Sequence, residues 1–253
     1  MKKSLVAGLA AGALALGLTA GANAGANWSY HGENGVETWN DVFETCGAGT
    51  EQSPINIELA NAYRKAVRNP IFNYEAGEAH VFNNGHSVEI EPSEEAEHTV
   101  ILGGEEFHLL QVHYHAGSEH LINGKRYAAE FHFVHQAEDG HLAVIGVLVT
   151  PGRFNEAWRP FAKVVGEATA TPEDTVIDID LEAMLPSNLQ TARYDGSLTT
   201  PGCTEGVKWN VLVHPVQLSK AQIRQFTRVY SNTFRPVQPL NNRTVVFDSR
   251  AAK

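Results

Sequence analysis

After residue 24 the chain has no apolar run approaching the ~20 consecutive residues a helix needs to cross a bilayer, which excludes a membrane-spanning helical bundle. Basic charge is also short. Lys and Arg total 19 against 29 Asp and Glu, a formal net charge of −10. No basic stripe offsets that excess, so a nucleic-acid partner is excluded because its phosphates would be repelled. Cysteine is limited to Cys46 and Cys203, leaving room for at most one internal disulfide. No internal repeat, Pro/Ser linker or charge block divides residues 25–253, so the chain reads as one domain.

Among what is present, the first 24 residues are a separate object. Lys2 and Lys3 form a positive start, Leu5 to Leu18 an Ala/Leu/Gly-rich apolar stretch, and Ala22-Asn23-Ala24 a small-residue cleavage site. This is the pattern of a secretory signal peptide over 1–24, ahead of a mature chain 25–253. A membrane anchor is the alternative, but the run is short, Gly-broken and followed by polar residues. The mature charge is −10 less two lysine charges, or −12. Export to the periplasm or outside the cell favours a disulfide between the two cysteines, with buried free thiols as the alternative. Such a bond closes a loop worth roughly 5 kcal/mol in the chain-entropy model.

The body of the chain, 43% hydrophobic and 19% charged, is ordinary globular composition. Residues 25–60 read as an irregular segment wrapped on a core, with Trp28, Tyr30, Trp39 and Phe43 as packing groups. Strand signals follow at 87–91, 99–102, 107–115, 127–135 and 142–149. Gly103-Gly104 and Asn123-Gly124 fall between successive strands and predict antiparallel hairpin partners. Helical signal is thinner. One helix is predicted over Asn155 to Thr169, despite Pro160, and one from Ser219, where Ser219 and Gln222 form a capping box.

The chemistry concentrates in residues 111–132. His113 and His115 are two apart, as are Glu130 and His132. Side chains alternate faces along a strand, so two adjoining strands would gather three imidazoles on one face. Three protein ligands with a fourth position left for water is the donor set of a catalytic zinc site. Neutral imidazoles leave the ion's double charge uncompensated, which favours acidifying its water. Gln111 and Glu130 share these faces and can hold the second ring nitrogens, and Glu119 is nearby. With 12 histidines some such spacings arise by chance; His108, His120 and His135 are not read as ligands.

Gln111-Val-His-Tyr-His115, Gly117-Ser-Glu-His120, Ala128-Ala-Glu-Phe-His-Phe-Val-His135 and Ser197-Leu-Thr-Thr-Pro201 resemble the α-class carbonic anhydrases. So do Gln52-Ser-Pro-Ile-Asn56, Asn83-Asn-Gly-His86, Leu142-Ala-Val-Ile-Gly146 and Phe234-Arg-Pro-Val-Gln-Pro-Leu-Asn-Asn-Arg243, which extends the likeness over nearly the whole mature chain. The resemblance implies a mainly β fold with minor α: a twisted, mostly antiparallel central sheet of about ten strands with short peripheral helices. It implies zinc on His113, His115 and His132, and carbon dioxide and bicarbonate as substrates, with weak ester hydrolysis beside them. A homodimer is common among such bacterial relatives.

The resemblance also assigns roles. The Thr199 hydroxyl would accept from zinc-bound hydroxide and donate to Glu119, because an ionised carboxylate can only accept. Its N–H would receive a bicarbonate oxygen. Thr199 and Thr200 would face the substrate, and Val134, Val144, Leu198, Val207 and Trp209 would form an apolar wall. His86 would be the proton shuttle, with Tyr30 and Asn84 ordering waters toward it. Cys46 and Cys203 match positions bridged in exported bacterial members. Two residues depart: Glu89 stands where a neutral amide is frequent, adding negative charge near the cavity, and Gly202 replaces a second proline.

Overall fold

The computed structural model describes residues 27–93 and 96–249, so the expected signal peptide lies outside the described residues. The first half contributes β1 (Asn56–Ile57), β2 (Tyr63–Lys65), β3 (Ile71–Asn73), β4 (Gly77–Asn83), β5 (Val88–Pro92), β6 (Thr99–Leu102) and β7 (Glu105–Ala116). The second adds β8 (Leu121–Ile122), β9 (Ala129–Gln136), β10 (Leu142–Pro151), β11 (Val176–Ile179), β12 (Thr191–Ser197), β13 (Glu205–Leu218) and β14 (Val246–Asp248). Four short helices lie outside the sheet: α1 (Trp39–Val42), α2 (Glu44–Ala48), α3 (Arg159–Val164) and α4 (Lys220–Val229).

Twelve strands join one sheet in the order β11-β4-β5-β7-β9-β10-β13-β12-β14-β2, with β3 and β6 branching at β7, and β1 and β8 form a small second sheet. The mainly β expectation holds, and most neighbours are antiparallel. Two parallel joints interrupt the large sheet, β10 with β13 and β14 with β2. Gly103-Gly104 does turn β6 into its antiparallel partner β7. Asn123-Gly124 instead turns the chain between β8 and a bridge at Lys125. β7 and β9 are antiparallel neighbours, but the whole of 117–128 connects them.

Strand alternation divides β7 and β9 into two faces. Val112, Tyr114, Phe131 and Phe133 point toward the helices and are no more than 1% exposed. They pack with Trp158, Phe161 and Phe226 from α3, α4 and the turn before α3. Burying each such side chain contributes roughly 1.5–3 kcal/mol. The opposite face carries the histidines.

The helix expected over 155–169 is shorter. A 3₁₀ turn at Glu156–Trp158 leads into α3, which ends at Val164. Proline lacks an N–H and fits only a first helical turn, so Pro160 sets the start of α3, and little apolar spacing remains before Gly166. α4 begins at the expected capping box: Ser219 Oγ accepts from Gln222 N, and Gln222 Oε1 accepts from Ser219 N.

His135 lies on the helix-covered face of β9, fully buried, with Nε2 2.6 Å from the Tyr74 hydroxyl. Burial pushes its imidazole down to about 3, against backbone contacts that oppose the shift. An unfolded histidine titrates near 6.5. Below that pH the unfolded chain takes up a proton the folded chain refuses, so stability falls as the medium is acidified, by up to ~1.4 kcal/mol per pH unit until the pH nears 3. In urea unfolding between pH 6.5 and 4, His135→Gln is therefore expected to flatten the pH dependence; an unaltered slope would remove His135 from the account.

Candidate metal centre

The register of β7 against β9 sets His113 opposite His132 and His115 opposite Glu130. One ring nitrogen from each of His113, His115 and His132 falls within 4.8 Å of the others. The other nitrogens of His113 and His115 are occupied. His113 Nδ1 donates to Gln111 Oε1 at 2.8 Å, and His115 Nδ1 donates to the Thr233 carbonyl at 2.7 Å. With both protons thus located on Nδ1, each Nε2 presents a bare lone pair, yet the two Nε2 atoms lie 3.1 Å apart. Facing lone pairs repel unless a cation sits between them. A tetrahedral zinc with Zn–N bonds of 2.0–2.1 Å spaces its ligand nitrogens by about 3.3 Å. The residues fit that ion.

His132 turns Nε2 toward Glu130 Oε1, 3.2 Å away but off the line of a full hydrogen bond, leaving Nδ1 for the shared space. Glu130 is anchored on its other side. Its Oε1 accepts from His120 Nδ1 at 2.7 Å and its Oε2 from His120 N at 2.8 Å. His120 Nε2 then accepts from the Tyr194 hydroxyl at 2.6 Å, Tyr194 accepts from Ser53 Oγ at 2.8 Å, and Ser53 Oγ accepts from Ser197 N at 3.0 Å. A buried chain of bonds therefore runs from the Glu130 carboxylate on β9 to a residue two positions before Thr199. His120, Glu130 and His132 are themselves within 4.8 Å of one another, but the His120 and Glu130 atoms are committed to this chain.

Space for the Glu130 carboxylate comes from Gly146, opposite His132 on β10. A Cβ added there would meet Glu130 Oε1 at 2.8 Å.

Burial and mutual repulsion shape the charges. Desolvation holds His113 well below its ordinary pKa, His115 at about 4 and His132 below its usual range, so all three are neutral donors at pH 7. Burial alone would raise the Glu130 carboxyl, but His120 and His132 outweigh it and hold the group well below the usual carboxylate range. Glu119 goes the other way: burial pushes it up to about 7 against His132, Thr199 and the Arg235 N–H. Glu119 Oε1 accepts from Arg235 N at 2.8 Å, and Oε2 stands 3.4 Å from His115 Nε2. The Thr199 hydroxyl is near enough to lower the carboxyl's pKa, although no full-geometry bond closes on Oε2.

Thr199 is buried in the loop after β12, which Leu198 N to Thr204 O at 2.9 Å and Cys203 N to Thr200 O at 2.8 Å draw tight. Gly202 has φ 72°, an angle proline cannot adopt, so the loop takes a path its frequent proline would forbid. Cys203 is disulfide-bonded to Cys46, closing a separation of 157 residues. The Cys46 carbonyl and the Gln52 side chain in turn receive the buried Arg235 guanidinium.

His113 and His115 open on a cavity of about 300 Å³. Its apolar side holds Leu110, Val134, Leu142 and Leu198; its polar side holds Tyr30, Asn84, His86, Glu89 and Thr200. Val144, Val207 and Trp209 are buried in the apolar cluster that includes Val134, and the Trp209 ring centre is 4.9 Å from that of His132. Tyr30 reaches His115 Nδ1 at 3.4 Å. His86 lies flat on Trp28, ring centres 3.7 Å apart, and desolvation lowers its pKa. Burial first, then repulsion from Glu91, pushes Glu89 up to about 7. A larger cleft of about 850 Å³ beside β1 and β2 is lined by no histidine among the described residues.

Sequence reasoning missed Trp28, the Thr233 carbonyl and Gly146. Trp28 stands in a stretch whose aromatics look like packing, and a carbonyl's role leaves no mark on residue identity. Gly146 sits within the quoted Leu142 to Gly146 motif, but its purpose shows only when the strands are paired.

Residues 34–249 match the family model described as eukaryotic-type carbonic anhydrase. A carbonic anhydrase of Pectobacterium atrosepticum is 38% identical, the match covering 87% of this chain and 90% of that one. The α-carbonic anhydrase of Thermovibrio ammonificans, solved with the inhibitor sulfanilamide, superposes with a TM-score of 0.81 at 38% identity over 88% of this chain and 99% of its own. Dioscorin, solved with ascorbate, superposes at 0.80 with 28% identity, covering 90% and 100%.

Proposed function

The chain belongs to the eukaryotic-type, or α-class, carbonic anhydrase family, and on that premise we propose that it hydrates carbon dioxide reversibly to bicarbonate and a proton, using zinc held by His113, His115 and His132. The observation that carries the zinc reading is the pair of unprotonated Nε2 atoms facing each other at 3.1 Å. Bound there, zinc supplies a Lewis acid and makes a nucleophile of water at neutral pH.

The protein's residues position everything else. Gln111, the Thr233 carbonyl and Glu130 fix each ring's tautomer and tilt, which raises its basicity as a donor. Positive charge at the triad favours the ionised form of Glu119. An ionised carboxylate can only accept, so the Thr199 proton goes to Glu119 and its oxygen is left to accept from the attacking oxygen, turning a lone pair of that oxygen toward carbon. The Thr199 N–H receives the developing anion, and Thr200 stands beside it. Val134 and Leu198, backed by Val144, Val207 and Trp209, give an uncharged substrate a dry wall. His86, whose imidazole can both accept and release a proton, takes the proton outward along waters ordered by Tyr30 and Asn84. Residues 1–24 direct export to the periplasm or beyond, where the Cys46–Cys203 bond persists.

The test is carbon dioxide hydration by stopped flow before and after chelation. Activity is expected to disappear with the metal and return when zinc is restored. Fully zinc-loaded protein without hydration would overturn the reading, and much faster turnover of an ester or phosphoester than of carbon dioxide would make it a different hydrolase.

A further inference from the structure

His86 sits in the four-residue turn between β4 and β5, and the position of its ring depends on how that turn is held. Asn84 is the pivot. Its Oδ1 accepts from His86 N at 2.8 Å and from Ser87 N at 2.7 Å, and its backbone N–H bonds the Ser87 carbonyl at 3.1 Å. Gly85, at φ 92°, takes the left-handed angle that closes the turn, and Asn83 Oδ1 accepts its N–H at 2.9 Å. The remaining face of the Asn84 amide is Nδ2, a donor, and it bonds Glu89 Oε1 at 2.6 Å.

An amide has a donor end and an acceptor end that differ little in shape, so partners decide which way it points. Two backbone donors demand the oxygen on one side. Glu89 is the acceptor that holds the nitrogen on the other. It is itself fixed, on β5 opposite His113 of β7, so the sheet that carries the metal ligands also carries the anchor of the turn. We infer that Glu89 is a positioning residue for proton export: through the Asn84 amide it holds the β4–β5 turn in the one arrangement that presents His86 to the cavity. The same carboxyl oxygen accepts whether or not the group is protonated, so the device rests on acceptor geometry and not on charge.

This inference rests on the shuttle reading of His86, and the experiment separates the two. The zinc-loaded mature protein is assayed for carbon dioxide hydration in weak buffer and again with added imidazole, in parallel with His86→Ala, Glu89→Leu and Glu89→Gln. Glu89→Leu removes the acceptor; Glu89→Gln keeps one in its amide oxygen. In weak buffer Glu89→Leu is expected to lower kcat severalfold with kcat/KM unchanged, imidazole to restore it, and Glu89→Gln to stay near the parent. His86→Ala is expected to show the same kcat loss, larger, with the same rescue. If His86→Ala is slowed and Glu89→Leu is not, Glu89 has no positioning role and the shuttle stands. Equal losses in Glu89→Leu and Glu89→Gln would assign the effect to charge and overturn the inference, as would a fall in kcat/KM, which would place the effect at the metal. An unaffected His86→Ala removes the shuttle reading and this inference with it.

Discussion

His115→Ala is expected to lose zinc and carbon dioxide hydration together. Among the three candidate ligands this ring is the most enclosed, 1% exposed, with its outer nitrogen bonded to the Thr233 carbonyl. Removing it takes away one of three donors, a heavier loss than removing an outer holder, which typically costs 10–100-fold in metal affinity. Two imidazoles and a cavity of water remain, so zinc affinity is expected to fall by more than ~100-fold. The Thr233 carbonyl would also lose its buried donor, costing about 1–3 kcal/mol of stability. Metal content after dialysis, read beside hydration rate and urea unfolding, checks all three. Retained stoichiometric zinc would refute the assignment of His115.

The second large effect is on stability. Replacing Cys46 and Cys203 together by serine opens a loop whose ends are 157 residues apart. The chain-entropy model puts the loss at roughly 5 kcal/mol, a ceiling because unfolded chains keep some structure. Domains are stable by only 5–15 kcal/mol, so this is a large fraction of the whole. The damage is also directed. Cys203 closes the loop carrying Thr199 and Thr200, and the Cys46 carbonyl holds the Arg235 guanidinium, whose backbone N–H bonds Glu119. Urea unfolding of the double variant is expected to show the loss; an unchanged midpoint at unchanged slope would show that the bond contributes nothing to stability.

The candidate metal-binding face was legible because alternation in a strand is a local property: residues two apart share a face whatever the rest of the chain does. Gln111, His113, Glu130 and His132 fall where that rule puts them. The capping box at Ser219 was legible for the same reason. The Asn155 to Thr169 helix was overextended because apolar spacing records which residues face the core and not where hydrogen bonding stops, and Pro160 set that boundary. The parallel joint of β10 with β13 was invisible, since nothing local distinguishes a parallel neighbour from an antiparallel one. The roles proposed for Glu119 and Thr199 came from likeness to a family; their 80-residue separation carries no periodic signal, and only the fold brings them near each other. Thr233 was beyond sequence altogether, because it contributes its carbonyl and any residue has one.

Gly146 carries a lesson for anyone wishing to transplant this centre. Four residues on two strands, H-x-H and E-x-H, look like a portable cassette that any antiparallel pair could receive. The carboxylate of that cassette occupies volume belonging to a third strand, and it fits because the third strand contributes a hydrogen atom where other residues place a methyl group. A designer copying the visible pattern onto a new sheet would install the donors and leave Glu130 nowhere to stand, so the unit of transfer is three strands wide and includes one deliberate gap.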